Sequence, residues 1–341
     1  MKKLNYFLKD PERKNLFVVV NELMYLLIKQ RTVPSHYFAK YLYRKRVKNI
    51  NDYLTTQEVK RVSFSRYFNK AAMLPFFENK VVMALFCKKN SLPHPRMLCN
   101  NYGKWFNING KTICIETKSN LVDLLKEIMI DNKLDVLFVK EVDNHGGVGC
   151  FKIENSEDSF QQKEIGEMLS GNYLVQECIE QHTALSALNP NSINSIRIDT
   201  YVDEKGEGHI LTALMRFGVG KSVVDNASSG GFYVGIDMEK GTLKEMGQQL
   251  FSYGGKSYKA HPDTNTIFKD YSIPYFQETC ALIHKLMKLL PDGFVGWDIA
   301  ITSNGPMIIE GNTQSGILMA DISYGGLRAH PKFKEILSRL P

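Results

Sequence analysis

Residues 297–313 read WDIAITSNGPMIIEGNT, and within them Asp298, Glu310 and Asn312 supply the oxygen donors that a hard divalent cation prefers. The two arms are rich in Ile, Ala and Trp, and Ser303, Asn304 and Gly305 between them carry turn chemistry, so the stretch is expected to be a β-hairpin. With a three-residue turn and Gly305 in the left-handed conformation, Thr302 faces Pro306 and Asp298 falls opposite Glu310. Asn312 then shares their face, and Ile299, Ile301, Met307 and Ile309 supply the core on the other. Two opposed carboxylates repel each other, and Mg²⁺ makes such a pair favourable. A two-residue Asn304-Gly305 turn is the alternative; it pairs Ser303 with Pro306 and throws Glu310 onto the face opposite Asp298. On this stretch alone, a metal site and a surface hairpin with solvated acids stand about equal.

A second block, DVLFVKEVDNHGGVGCFKI at 135–153, places Lys140 on an alternating strand just before a glycine loop. Gly146, Gly147 and Gly149 lack the Cβ that would keep backbone amides away from phosphate oxygens. The loop fits neither the dinucleotide fingerprint nor the Walker pattern, and alone an ordinary hairpin turn is the commoner explanation. The run 218–222 imitates a phosphate loop, but Met215 stands where the Walker spacing needs glycine. Arg197 and Arg216 lie in apolar strands, where a guanidinium needs an anionic partner or a route to solvent.

The elements that carry these residues can be outlined from pattern. A basic, helical N-terminal region spans 1–78, including a helix over 16–29 that is apolar on nearly every side and is expected to be buried, and a second helix capped by Ser35 and running through Tyr37, Tyr41, Leu42 and Arg44. After a helix from about residue 79 to Asn90, the Pro93-His94-Pro95 run forces an extended segment. Strands and helices then alternate: a strand at 112–116, a helix at 119–131, a strand at 135–142, a helix at 158–169 and a strand at 173–178. Antiparallel strands are expected over 196–236. Residues 246–275 form a polar, glycine-containing insertion, either a substrate loop or a mobile surface excursion, the first being favoured slightly because loops this long are often functional.

Composition narrows the class. A chain of 341 residues, 43% hydrophobic, can bury a sizeable core and suggests two or three globular units. Six scattered cysteines without a CxxC pair are expected to be reduced thiols of a cytoplasmic protein rather than a zinc site or disulfide frame. The N-terminus lacks a signal-peptide core, and the apolar run 16–28 is too short to span a bilayer. Residues 1–70 hold 16 Lys and Arg against 5 Asp and Glu, a net of +11, while the remainder nets −4. With Arg44, Lys45, Arg46 and Lys48 the densest cluster, that front end suits an anionic glycan, a nucleotide sugar or the inner membrane surface as a peripheral partner, although a solvated helical face is the commoner meaning of such a run. No motif points to specific nucleic acid.

The order of Lys80, Lys140 with its glycine loop, the strand end Gln176-Glu177-Cys178-Ile179 and the carboxylate-carboxylate-amide hairpin resembles the ATP-grasp superfamily. More narrowly, QECIEQHTALSALNPNSINSIRIDT, MRFGVGKSVVDNASSGGFYVGID and GFVGWDIAITSNGPMIIEGN resemble the sugar-transfer-associated ATP-grasp group, over roughly 79–312. The resemblance implies an α+β fold in which a smaller lobe (79–178) and a larger lobe (179–341) clasp ATP behind the helical N-terminal region. It further implies that Lys80 and Lys140 contact ATP phosphates and that Gly146, Gly147 and Gly149 form a lid over them. Gln176, Glu177 and Ile179 would meet adenine, with Glu180 or His182 near the ribose. Arg216, Arg197 and Asn226 would serve the transferred phosphoryl group and the acceptor side, and Asp298, Glu310 and Asn312 would hold two Mg²⁺ ions.

The implied activity is that of an ATP-dependent carboxylate-amine ligase, in which a carboxylate is activated as an acyl phosphate and captured by an amine. The group's association with polysaccharide assembly suggests a sugar carboxylate joined to an amine or amino acid, or an amino acid joined to an amino sugar. A phosphotransferase of the same fold acting on a hydroxyl, and a non-catalytic nucleotide-binding component of a polysaccharide assembly complex, are the competing readings.

Overall fold

The computed structural model describes residues 2–340 apart from 145–148, 221, 223 and 224. Its strands form two antiparallel sheets. β1 (Met97–Tyr102), β2 (Trp105–Ile108), β3 (Lys111–Cys114), β4 (Val136–Glu141), β5 (Cys150–Glu154) and β6 (Asn172–Glu177) make a sheet in the order β3-β2-β1-β6-β4-β5. β7 (Ile196–Val202), β8 (Gly208–Phe217), β9 (Phe232–Asp237), β10 (Thr242–Gln249), β11 (Ser257–Tyr258), β12 (Phe294–Thr302) and β13 (Gly305–Asn312) make a second, in the order β11-β10-β9-β8-β7-β12-β13. Together with the helices this is an α+β architecture. The segment expected as one helix over 158–169 is two short ones, Glu157–Phe160 and Lys163–Glu167. The sequence reading also missed β2, β5, β10 and β11.

Period-two alternation decides which side chains of the smaller sheet face the helix and which face the other lobe. Leu137 and Val139 of β4 pack into the core with Leu121, Leu125 and Ile128 of the helix Lys118–Asn132. Each such fully buried side chain contributes about 1.5–3 kcal/mol. The helix is started by Thr117, whose side chain accepts from the Asn120 amide, and stopped by Lys133 in the left-handed conformation. Phe138 and Lys140, of opposite parity, face away from that core, and Gln176 of β6 lies beside Phe138.

The same parity organises the larger sheet. Ile196 and Ile198 of β7, Ala213, Met215 and Phe217 of β8, and Val295, Trp297, Ile299 and Ile301 of β12 share a core with Ile283 and Leu286 of the helix Phe276–Leu289. The intervening residues, Arg197, Asp199, Arg216 and Asp298, therefore point to the opposite face. In the pairing of β12 with β13, Asp298 faces Glu310, but not by the expected turn. Thr302 pairs with Gly305 across a two-residue Ser303-Asn304 loop, so the ladder runs Ile301–Pro306 and Ile299–Ile308, and a β-bulge at Ile309 then advances the register by one. Without that extra residue Glu310 would point into the apolar core. The core residue of this arm is consequently Ile308, not Ile309, which turns towards the other lobe.

The N-terminal region corrects three expectations. The helix Leu16–Gln30 exists, but Val19 and Leu26 are its only buried residues, and Phe17 and Ile28 are 73% exposed. The helix expected to follow Ser35 covers only His36–Ala39, because Tyr41 takes a positive φ of 59°. Arg44, read as part of a charged surface cluster, is buried; it pairs with Asp10 at 2.8 Å and donates to the Gly255 carbonyl and to Gln248. The insertion at 246–275 is accordingly not an open loop. It completes β10, adds β11 to the sheet edge, inserts His261 against Phe217 and Phe232, and receives the Tyr41 hydroxyl on the Gln249 carbonyl.

A buried ion pair ties the N-terminal region to the end of the chain. Lys40 meets Asp321, whose carboxylate also accepts from the Leu54 and Leu327 amides at 3.1 and 2.7 Å. Burial pushes the Lys40 ammonium down and the Asp321 carboxyl up, each against the pull of the other. Lys40→Met is expected to lower stability by about 3–5 kcal/mol, because it strands a buried carboxylate, and adding Asp321→Leu is expected to restore most of the loss. Urea denaturation of the single and double variants measures both.

Candidate functional site between the two sheets

A cleft of about 310 Å³ lies between the lobes, lined from one side by Lys80, Phe138, Lys140, Cys150, Lys152 and Gln176 and from the other by Ser195, Arg216, Asp225, Asn226, Asp298 and Glu310, with Cys178 to Ser195 contributing the wall between them. Its two halves are the outward-facing parities of the two sheets. Four sequence features expected to act together thus converge here: both lysines, the 176–179 segment through Gln176 and Ile179, Arg216, and the opposed carboxylates.

The centre of the cleft is Asp298, 1% exposed. Arg197 from the neighbouring β7 grips it with two hydrogen bonds, Nε–Oδ1 at 2.5 Å and Nη2–Oδ2 at 3.0 Å, and Arg216 from β8 adds Nη2–Oδ2 at 2.8 Å. Burial pushes the Asp298 carboxyl up, but the two guanidinium groups more than offset it and hold it well below the usual carboxylate range. Burial likewise opposes the Arg197 cation, and Asp298 outweighs it, so Arg197 stays charged. Both arginines are anchored from behind. Ser315 bridges Arg197 Nη1 at 3.2 Å to Asp199 at 2.7 Å, and Ser195 accepts from Arg216 Nε at 3.0 Å while its own backbone N–H donates to Asp225 at 2.8 Å. Gly296 is required for this packing: a Cβ there would lie 2.1 Å from the Ser315 hydroxyl oxygen.

Glu310 faces Asp298 across the β12–β13 pairing, and its Oε1 accepts from Asn312 Nδ2 at 3.1 Å. Two opposed carboxylates favour a cation between them, and an adjacent amide oxygen completes an all-oxygen donor set, so the residues fit a divalent ion of the magnesium type. Glu310 and Asn312 are the more open donors, since both oxygens of Asp298 are already engaged by arginine.

From the smaller lobe, Lys140 is buried, and burial pushes its ammonium below the ordinary range against the opposing attraction of Glu310. Lys80 sits at the start of the helix Lys80–Lys89, capped by Asn79, and donates to the Asn144 carbonyl. Gln176 is buried with no hydrogen-bond partner for its Nε2 among the described residues, an unsatisfied donor that a bound ligand acceptor would complete. Two residues that sequence reasoning did not assign, Cys150, paired with Lys140 across the β4–β5 ladder, and Lys152, also line the cleft. The lysine was available from the strand alternation once Lys140 was placed.

Not every residue named from sequence contributes a side chain to the cleft. Glu177 accepts from the Arg96 backbone N–H at 3.0 Å and pairs with its guanidinium, so its carboxylate is turned away from the cleft lining. His182 caps the helix Thr183–Leu188, with Nδ1 accepting from the Ala184 amide at 3.1 Å, and stacks edgewise on Tyr275. Gly149 has a positive φ of 69° and its position abuts the Glu141 side chain, whereas Gly146 and Gly147 lie outside the described residues. Asn226 starts the short helix Ala227–Ser229 at the rim of the cleft.

In metal-free protein Asp298→Asn is expected to lower stability by about 3–5 kcal/mol, because two buried guanidinium groups lose their anion. Glu310→Gln, which relieves carboxylate repulsion, is expected to leave the urea midpoint unchanged or higher. Equilibrium denaturation in the presence of a chelator tests the contrast.

No curated protein sequence matches the chain. Among solved structures it is similar to D-alanyl-alanine synthetase A from Vibrio cholerae O1 biovar eltor, at 11% identity and a TM-score of 0.47, covering 79% of this chain and 66% of that one. It is also similar to the D-alanine-D-alanine ligase from Coxiella burnetii, at 10% identity and a TM-score of 0.47, covering 80% and 59%. A third likeness is to N5-carboxyaminoimidazole ribonucleotide synthetase from Thermotoga maritima, at 12% identity and a TM-score of 0.38, covering 70% and 42%. The chain thus spans between 42% and 66% of the lengths of these structures. The family model described as sugar-transfer associated ATP-grasp matches residues 59–333, and this chain belongs to that family.

Proposed function

We propose that the protein is an ATP-dependent carboxylate-amine ligase that works through an acyl phosphate and joins an amine or amino acid to a sugar carboxylate, or an amino acid to an amino sugar, in surface polysaccharide biosynthesis. The observation that carries this reading is the convergence, in one cleft, of Lys80, Lys140 and Arg216 with the Asp298–Glu310 pair. Three cations facing two carboxylates suit a polyphosphate held together with its counter-ion, and membership of the ATP-grasp family supports ATP as that polyphosphate.

In this reading Lys80 and Lys140 neutralise phosphate oxygens as point charges. Release of Lys80 from the Asn144 carbonyl frees it to do so. Gln176 donates its amide to adenine, Ile179 lies against the base, and Gly149 borders the phosphates. Asp298, Glu310 and Asn312 would hold Mg²⁺, two ions in the full assignment, which would supply neutralisation of charge on the phosphates. Arg197 keeps Asp298 ionised and oriented. Arg216, seated on Ser195, presents its remaining N–H groups towards the transferred phosphoryl oxygens.

A substrate carboxylate oxygen forms a bond to the γ-phosphorus as the bond to the ADP oxygen breaks, giving an acyl phosphate. An amine then attacks the carbonyl carbon, loses a proton, and expels phosphate with the bonding electron pair. The loop headed by Asn226 borders the acceptor side, where closure keeps water from the activated acyl group. Glu177 and His182 take no part in this reading.

Purified protein incubated with Mg-ATP, uronic acids or nucleotide-linked uronates, and a panel of amino acids and amino sugars is expected to release phosphate only when acid and amine are both present. Glu310→Gln is expected to lower kcat by about 10²–10³-fold. Phosphoryl transfer to a hydroxyl without free phosphate, or turnover unaffected by Glu310→Gln, would exclude this assignment.

A further inference from the structure

The helix Leu16–Gln30 turns an apolar face to solvent. Leu16, Phe17, Val20, Met24, Leu27 and Ile28 are between 40% and 73% exposed. At 100° per residue these six fall within an arc of about 120°. The helix packs inward through Val19, Leu23 and Leu26, and its one acidic residue, Glu22, is held on the inner side by Lys14 at 2.8 Å and by the Tyr37 hydroxyl at 2.5 Å. A continuous exposed apolar stripe of this kind marks a docking face rather than ordinary surface scatter.

Charge identifies what the face docks on. Four of the five acids in residues 1–70 are engaged in ion pairs, Asp10 with Arg44, Glu12 with Arg46, Glu22 with Lys14 and Glu58 with Arg328. The excess of basic residues is therefore carried outward. Exposed cations stand at both ends of the helix. Lys45 is near its start, where the Lys14 and Lys45 amides bond to the Tyr43 and Glu12 carbonyls; Lys29 and Arg31 are at its end. A protein partner would need a matching acidic rim, whereas an anionic lipid surface offers apolar depth and negative charge over the whole length. Fifteen residues reach about 22 Å, and no helix among the described residues is long and apolar enough to cross a membrane. A helix that is apolar on one side, flanked by cations and too short to span lies flat in the interface.

We propose that the helix Leu16–Gln30 is a membrane-surface anchor that seats its Leu16, Phe17, Val20, Met24, Leu27 and Ile28 stripe in the headgroup–acyl boundary of an anionic bilayer. This stands on the exposed helix alone and is independent of the ligase reading.

The full chain is tested by co-sedimentation with vesicles of phosphatidylcholine alone and of phosphatidylcholine mixed with phosphatidylglycerol. Binding to the anionic vesicles is expected to exceed binding to the neutral ones by more than about tenfold at low salt, since several cations lie near the surface. The difference is expected to shrink at high salt and to disappear in the double variant Phe17→Ser with Ile28→Ser. Both side chains are 73% exposed, so the double variant is expected to keep the wild-type circular dichroism spectrum and urea midpoint. Three results would overturn the proposal: no sedimentation with either vesicle; anionic-vesicle binding that survives the double variant; or a dimer seen by light scattering that the double variant dissociates without any vesicle binding, which would mean that a second copy covers this face.

Discussion

The polar face of β7, β8 and β12 is arranged around one buried carboxylate. Asp298 is almost fully buried, and an ion in such a place is tolerable only when its countercharges are built into adjoining strands. The order β8-β7-β12 meets that condition, because each strand contributes one residue of the same parity: Arg216, Arg197 and Asp298. Ser195 with Asp225, and Ser315 with Asp199, keep the guanidinium planes from rotating away. The arrangement leaves Glu310, the neighbouring acid, without an arginine of its own and facing the open side of the cleft. That asymmetry makes Glu310 the more open of the two acids to a ligand.

The smaller lobe contributes the opposite imbalance. Lys140 is a cation in a poor dielectric, opposed by burial and drawn first to Glu310 across the gap, and Gln176 carries a donor without a partner among the described residues. A cleft with an under-neutralised lysine on one wall and an under-neutralised carboxylate on the other is preorganised for a ligand that carries negative charge together with its own counter-ion. The N-terminal region stabilises this platform from behind. Lys40 bonds to Asp321, Arg44 to the β10–β11 edge, and Leu54, Val62 and Phe68 complete the core shared with Leu214, Phe294 and Phe333. Residues 1–78 are thus distributed over several cores.

Much of the site was legible in sequence because strand parity is a two-state code. Once Ile196 and Ile198 are read as core, Arg197 must face away, and the same inference carries Arg216 and Asp298 to its side. The bulge was not legible: Pro306-Met307-Ile308-Ile309-Glu310 offers two consecutive isoleucines, either of which satisfies the core, and only tertiary packing chooses Ile308. The helix Leu16–Gln30 failed for a related reason. A segment apolar on almost all sides announces that it is a helix without indicating which face the protein covers. Glu177 and His182 show a further limit, since a polar residue at a strand end or helix start satisfies local partners, Arg96 or the Ala184 amide, as readily as a ligand. Arg44 and the 246–275 segment each looked like free surface because the partner that buries them lies about two hundred residues away.

The bulge at Ile309 has a further bearing on how this hairpin can vary through evolution. The opposition of Asp298 and Glu310 depends on the sum of two local lengths, the loop at the tip and the extra residue in the arm, and not on either alone. A two-residue loop with a bulge and a three-residue loop without one place the two acids across from each other equally. Related chains can therefore exchange one solution for the other by a compensated insertion and deletion. An alignment that treats the tip and the arm as separate positions would record two gaps at a site whose geometry had not changed.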